Sequence, residues 1–249
     1  LLSRMARFVR TARSIALACA VACTPSRALE ITRDIALPVV VADGVLQIGE
    51  RRLHLPAGRW VLTGGAPHPT EGKAMKGRDR YGEGFDAWAT LVEDGQLRAL
   101  VWLGLPFADF PREHRIGGND CVEDGSIERL RLSDNPRLPE CLGVYGYETL
   151  AALMANRSPR TVAWLRQRGI PDPGTVVRFV YKLRTDDGYG GVAMVLPAAP
   201  FASDDDARRW VGQLREACRP LFEGRATDAS LPPLPRLPEA PASAASAAR

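Results

Sequence analysis

His114 keeps the most chemically suggestive company in this sequence. Asp109, Glu113, Asp120 and Cys121 all lie within a dozen residues of it. A carboxylate that orients an imidazole is how a general base is assembled. The 107–121 segment is therefore the candidate centre of a hydrolase, although the same composition also describes an ordinary solvated loop. No catalytic residue is assigned on this basis. The other two histidines are less suggestive: His54 alternates out of a short strand between Leu53 and Leu55, and His68 lies in a stretch rich in Pro, Gly and charge. The nucleophile elbow G-x-S-x-G, the zinc-protease pattern H-E-x-x-H, the P-loop and G-x-G-x-x-G are all absent. Gly188-Tyr189-Gly190-Gly191 follows a hairpin turn instead of leading into a helix. It reads as room for close packing over a sheet, not as a phosphate cradle.

The cysteines point to redox compartment more than to metal. No C-x-x-C occurs and the histidines are not spaced with the cysteines, so neither a metal site nor a cofactor is expected. Cys19 and Cys23 fall in a leader, leaving Cys121, Cys141 and Cys218. Cys121 and Cys141 share a turn-rich segment and are expected to form a disulfide, which on the chain-entropy model stabilises by about 3 kcal/mol. Cys218 sits on an apolar helical stripe and reads as a small buried hydrophobe.

Residues 1–28 read as a signal peptide. An Arg-rich start precedes the apolar run Ile15–Cys23, and Ser26-Arg27-Ala28 supplies small residues at the −3 and −1 positions of a cleavage site. Nine apolar residues fall short of the roughly 20 that a membrane-spanning helix needs. The chain is thus expected in the periplasm or secreted. The alternatives are a mitochondrial presequence and a lipoprotein anchored through Cys23, the latter because Ala20-Val21-Ala22-Cys23 resembles a lipoprotein processing site. The leader also explains the formal charge of +4: it holds five of the 33 basic residues and no acid, leaving 28 basic against 29 acidic. A nearly neutral domain has no electrostatic reason to seek nucleic acid.

The elements that would position any site centre on residues 158–224, which read as helix, hairpin, helix. Ser158 and Pro159 suit a helix start and Gly169 its end. Ser203 starts a second helix, whose stripe is Trp210, Val211, Leu214, Cys218 and Leu221, with Pro220 limiting or kinking its end. Between them, Asp187-Gly188 suits a type I′ turn. That turn would place Leu183 opposite Val192, Tyr181 opposite Met194 and Phe179 opposite Leu196, so Gly188→Val is expected to cost about 1–3 kcal/mol and Gly190→Ala, its control, less. Arg178, Lys182 and Arg184 would lie on the other, half-wet face.

Asp43-Gly44 and Asp94-Gly95 give two further hairpins, Val39–Val41 with Val45–Ile48 and Phe85–Val92 with Gln96–Leu105. The second, apolar on both faces, is expected at the centre of a sheet, pairing Val92 with Leu97, Trp88 with Val101, Ala89 with Leu100 and Ala87 with Trp102. Arg52–Leu55 and a strand ending at Gly64-Gly65 are also expected. Residues 66–84 read as an exposed, disordered loop. Residues 106–147 read as irregular apart from a strand at Ile127–Leu132, before a short helix at Glu148–Ala155.

The fold class is therefore α+β: an antiparallel sheet of six to eight strands with helices packed mainly on one face, residues 29–226 forming one domain. Residues 227–249 read as a disordered Pro/Ala-rich tail whose loss from residue 230 onward would leave the melting temperature little changed. The leader, LPAGRWVLTG, a hairpin, ECLGV, a helix carrying Trp164, the RFVYKL–GYGGVAMVLP hairpin and a terminal amphipathic helix resemble small exported proteobacterial proteins of unknown function, over residues 50–224. The resemblance implies export and an α+β domain and transfers no functional residue. The expected role is a non-catalytic binding or accessory module with a small-molecule or protein partner. An extracytoplasmic hydrolase using the loop around His114 is the alternative.

Overall fold

The computed structural model describes residues 28–69, 83–106, 126–131, 140–155, 157–185, 188–198 and 203–235. In chain order the strands are β1 (Leu29–Glu30), β2 (Val39–Val40), β3 (Val45–Ile48), β4 (Arg51–His54), β5 (Trp60–Pro69), β6 (Glu83–Glu93), β7 (Gln96–Pro106), β8 (Ser126–Arg131), β9 (Glu140–Thr149), β10 (Thr175–Thr185), β11 (Gly188–Pro197) and β12 (Asp228–Ser230). The helices are α1 (Leu150–Met154), α2 (Pro159–Gln167) and α3 (Asp204–Phe222). Eight strands form an antiparallel sheet in the order β2-β5-β6-β7-β11-β10-β9-β8. A smaller sheet, β1-β3-β4-β12, is built on the β3–β4 hairpin with a parallel strand on either side. The class is α+β, with hairpins forming the main sheet.

Side-chain alternation sorts the large sheet into two buried faces. Phe85, Ala87, Ala89 and Leu91 of β6, with Phe179 and Tyr181 of β10 and Met194 of β11, join the α3 stripe and the small sheet in the main core. Trp88, Leu100, Val176 and Val195, from the opposite parity, pack under α1 and α2. The 19-residue α3 therefore covers one face, and the two short helices cover part of the other. The central β6–β7 hairpin is buried on both sides, as its doubly apolar pattern requires. Asp94 and Gly95 adopt φ of 50° and 72° in its turn.

Several registers differ from expectation. β10 and β11 pair Thr185 with Gly188, Leu183 with Gly190, Tyr181 with Val192 and Phe179 with Met194. The connection is thus 186–187, outside the described residues, instead of 187–188. Moving a two-residue turn by one position moves every partner by two, so the apolar face is kept while each pair changes. Gly188 stands opposite Thr185, not in the turn. In β6–β7 a bulge at Leu91/Val92 leaves Val92 opposite Leu97 but sets Trp88 opposite Trp102, Ala89 opposite Val101 and Ala87 opposite Leu103.

The Asp43-Gly44 hairpin does not form, although both residues take the left-handed φ that the dipeptide favours, 52° and 67°. β2 pairs with β5 and β3 pairs with β4, so this turn passes the chain from one sheet to the other. β5 runs past Gly64-Gly65 to Pro69 and pairs with residues 83–86, which trims the 66–84 loop at both ends. β9 lies where irregular chain was expected, so Cys141 sits in a strand; Gly143 and Gly146 dilute its alternation. Strand β9 also delays the following helix to Leu150, with Thr149 capping it.

The ordered chain continues past residue 226. β12 adds to β4, Ala229 and Leu231 are buried in the main core, and the Leu231 N–H donates to the His54 carbonyl. Alternation over only three residues gives too weak a pattern to separate this strand from a Pro-rich tail. A cut at residue 230 therefore removes core, contrary to expectation. The rest of the tail, from 236 onward, lies outside the described residues.

Candidate functional site

Of the residues singled out for chemistry, His114, Asp109, Glu113, Asp120 and Cys121 lie outside the described residues, as do Cys19 and Cys23. Cys141 is buried at the start of β9, and Cys218 is the free cysteine among the described residues. Burial pushes the Cys218 thiol up to about 12, so it carries no nucleophilic thiolate at neutral pH. His54 does meet a carboxylate: its Nε2 is 3.1 Å from Asp228 Oδ1 across the β4–β12 pair. Arg52 Nη2 donates to the other oxygen at 2.9 Å, and the Thr227 hydroxyl donates to it as well. The His54 hydrogen bond, with those from Thr227 and Arg52, holds the Asp228 carboxyl below the usual range. Ser230 is opposite His54 in the register, but no hydrogen bond links them among the described residues. This exposed group is a clamp that holds β12 on the sheet.

Two further polar clusters are also packing devices. Thr90, Thr63, Thr161 and Ser158 form a buried chain of hydroxyls, with oxygen separations of 2.7, 3.0 and 2.8 Å. This chain docks α2 on β5, where Gly64 leaves the space that Ser158 and Thr161 occupy. Ser158 begins α2 as expected, yet its hydroxyl meets Thr161 and not a backbone N–H. On the other face, buried Glu140 accepts from Tyr181 Oη at 3.2 Å and Arg215 Nε at 2.7 Å, tying α3 to β9 and β10. Burial and the Glu140 carboxylate push the Tyr181 hydroxyl well up.

Among the described residues, two concavities lie on the face that α1 and α2 share. The first is a cleft of about 250 Å³ over β6, β7, β10 and β11, lined by Asp86, Trp88, Trp102, Arg157, Arg178 and Lys182, with Val180 and Ala193. Its floor depends on glycines: the Trp102 ring lies over Gly104 and the Tyr145 ring over Gly143, where a Cβ would come within 2.6 Å of the ring. Trp102 Nε1 donates to Asp86 Oδ1 at 2.9 Å, and the Arg178 guanidinium lies 4.2 Å from the Tyr145 ring centre. Arg178, expected to be half-wet, is only 5% exposed. All four charged groups of this cleft carry further interactions, so none is an unclaimed charge.

The second concavity is a groove of about 390 Å³ between the β2 edge and α2. Pro38, Val40, Val61, Val92 and Ile170 make its walls aliphatic; Trp164, Arg59 and Arg168 complete it. Its parts come from separated segments that the sheet order assembles: β2 docks on β5, β5 on β6, and α2 lies across β5. The Arg168 guanidinium is stacked 4.7 Å from the Trp164 ring centre, and neither Arg59 nor Arg168 has an ion-pair partner among the described residues. Trp164 is 8% exposed, and its Nε1 has no hydrogen-bond acceptor. Val40, at 45%, is the exposed large hydrophobic among the described residues. Sequence reading named none of these residues as a site, because each one alone is an ordinary strand or helix residue. Val40, exposed beside the partly buried Val39 on the β2 edge, is the one described residue that stands out by burial.

Comparison with known proteins finds no matching family, no matching curated protein and no matching solved structure. Among the described residues, no helix is long and apolar enough to cross a membrane, and no group of His, Cys, Asp and Glu is placed to hold a metal ion.

Proposed function

We propose that this chain is a non-catalytic binding module, exported to the periplasm or secreted, whose binding site is the groove between β2 and α2. The observation that carries the reading is an aliphatic concavity of about 390 Å³ whose two guanidiniums have no carboxylate partner among the described residues. Small-molecule sites have this form: mostly apolar walls of roughly 300–1,000 Å³ with a few polar groups. The groove holds no acid, histidine, thiol or hydroxyl to act as base or nucleophile. The hydrolase alternative rests on residues 107–121, and nothing among the described residues adds to it.

Export is supported by the Arg-rich leader ending at Ala28 and by the resemblance to small exported proteobacterial proteins; anchoring through Cys23 is its variant. A Cys121–Cys141 disulfide belongs to the same reading. Fluorescence of N-phenyl-1-naphthylamine, an uncharged apolar probe, tests the binding site. The wild-type protein should enhance its emission saturably. Val40→Asp, a change at an exposed position, should weaken that binding about tenfold or more by placing a charge on the groove wall. No enhancement, or equal binding by Val40→Asp, would refute the assignment.

A further inference from the structure

The groove also specifies a class of ligand, an inference that rests on the binding-module reading above. We propose that it takes a single-chain carboxylic acid, with the apolar tail along Val40, Val61, Val92 and Ile170 and the carboxylate on Arg59 and Arg168. Apart from Arg59, Arg168 and the Trp164 indole, the lining is aliphatic, so it suits a molecule with one polar end. A guanidinium presents parallel N–H donors that match the two oxygens of a carboxylate.

The two arginines reach the groove from different elements, Arg59 from the turn before β5 and Arg168 from the residue that caps α2. Stacking on Trp164 restricts the Arg168 side chain before any ligand arrives, which lowers the entropy lost on binding. By contrast, the charged groups of the Trp102 cleft already carry interactions within the protein. An uncharged apolar ligand would fill the same walls but leave both guanidiniums without a carboxylate partner.

The experiment compares decanoate with decanol, which share a chain and differ in charge, by displacement of N-phenyl-1-naphthylamine and by calorimetry. Decanoate should bind about tenfold tighter than decanol, the scale of one hydrogen bond to a charged group. Arg59→Gln and Arg168→Gln should each shrink that ratio, and the double variant should bring it to about one without weakening decanol. Both arginines are exposed, so these changes leave the fold intact. Equal binding of acid and alcohol, or a ratio that survives both substitutions, overturns the inference while the binding-module reading stands. If neither ligand nor the probe binds, that reading falls and the inference with it. Binding to phosphatidylglycerol vesicles without binding to decanoate also overturns it, because recognition would then belong to a lipid surface.

Discussion

Gly190→Ala, expected from strand geometry alone to be the cheaper change, should instead be among the more damaging single-methyl changes at the described glycines. A Cβ built at Gly190 lies 2.3 Å from both Cγ and Cδ1 of Phe222 and 2.8 Å from its Cβ. Favourable carbon–carbon contacts begin near 3.5 Å, so the overlap with the ring is roughly 1.2 Å. The ring has little room to yield. Phe222 is 1% exposed, stacks on Tyr181 with centroids 5.6 Å apart, and ends the helix whose stripe fills the main core. Relief requires lifting the end of α3 or expelling the ring. Overpacking of this kind costs about 1–3 kcal/mol, and an overlap with ring and helix atoms together places it at about 2–3. For a domain of this size that lowers Tm by about 4–12 °C.

Gly212→Ala makes the comparison. It adds the same methyl inside α3, where nothing lies within 4 Å, and should raise stability by about 0.5–1 kcal/mol through helix propensity. Thermal melts followed by circular dichroism measure both. Opposite signs are expected; Gly190→Ala melting with the parent protein would show that Phe222 does not pack on β11 as described.

A chain ending at Ala226 should be less stable than one ending at Pro235 by about 3 kcal/mol, because it loses the burial of Leu231 and Ala229 and the β12 hydrogen bonds. Equal urea midpoints would remove β12 from the folded core. The Asp228 clamp predicts a pH dependence. Its folded-state pKa lies below the ordinary aspartate value, so its contribution is present above that value and disappears as pH falls through the lowered one. The Tm gap between the parent and Asp228→Asn should accordingly be present near neutrality and close in acid; a gap that persists in strong acid would count against the ion pair.

The fold was legible where turn chemistry and side-chain period spoke together. The two-sided apolar pattern of residues 85–105 placed that hairpin centrally, and the stripe from Trp210 to Leu221 identified the helix over the core. Register was less legible. Asp186, Asp187 and Gly188 offer two adjacent two-residue turns that keep the same face, and only packing separates them: the observed register brings Gly190, opposite Leu183, beneath the Phe222 ring. A local dipeptide does not report which sheet receives the next strand, which is why Asp43-Gly44 gave the right backbone and the wrong partner. The groove was not legible at all. Val40, Arg59, Val92 and Arg168 are brought together by the strand order β2-β5-β6 and by the docking of α2 through Ser158 and Thr161, neither of which follows from local pattern.

Amide hydrogen exchange with and without saturating N-phenyl-1-naphthylamine tests the binding-site assignment most directly. β2 is a two-residue edge strand, so its opening should be a low-energy local event that an occupant of the groove suppresses. Protection is predicted in peptides covering 38–41, 59–62 and 164–170. Protection confined to 86–88 and 178–182, around the Trp102 cleft, or an unchanged profile, would contradict the assignment of the groove as the binding site.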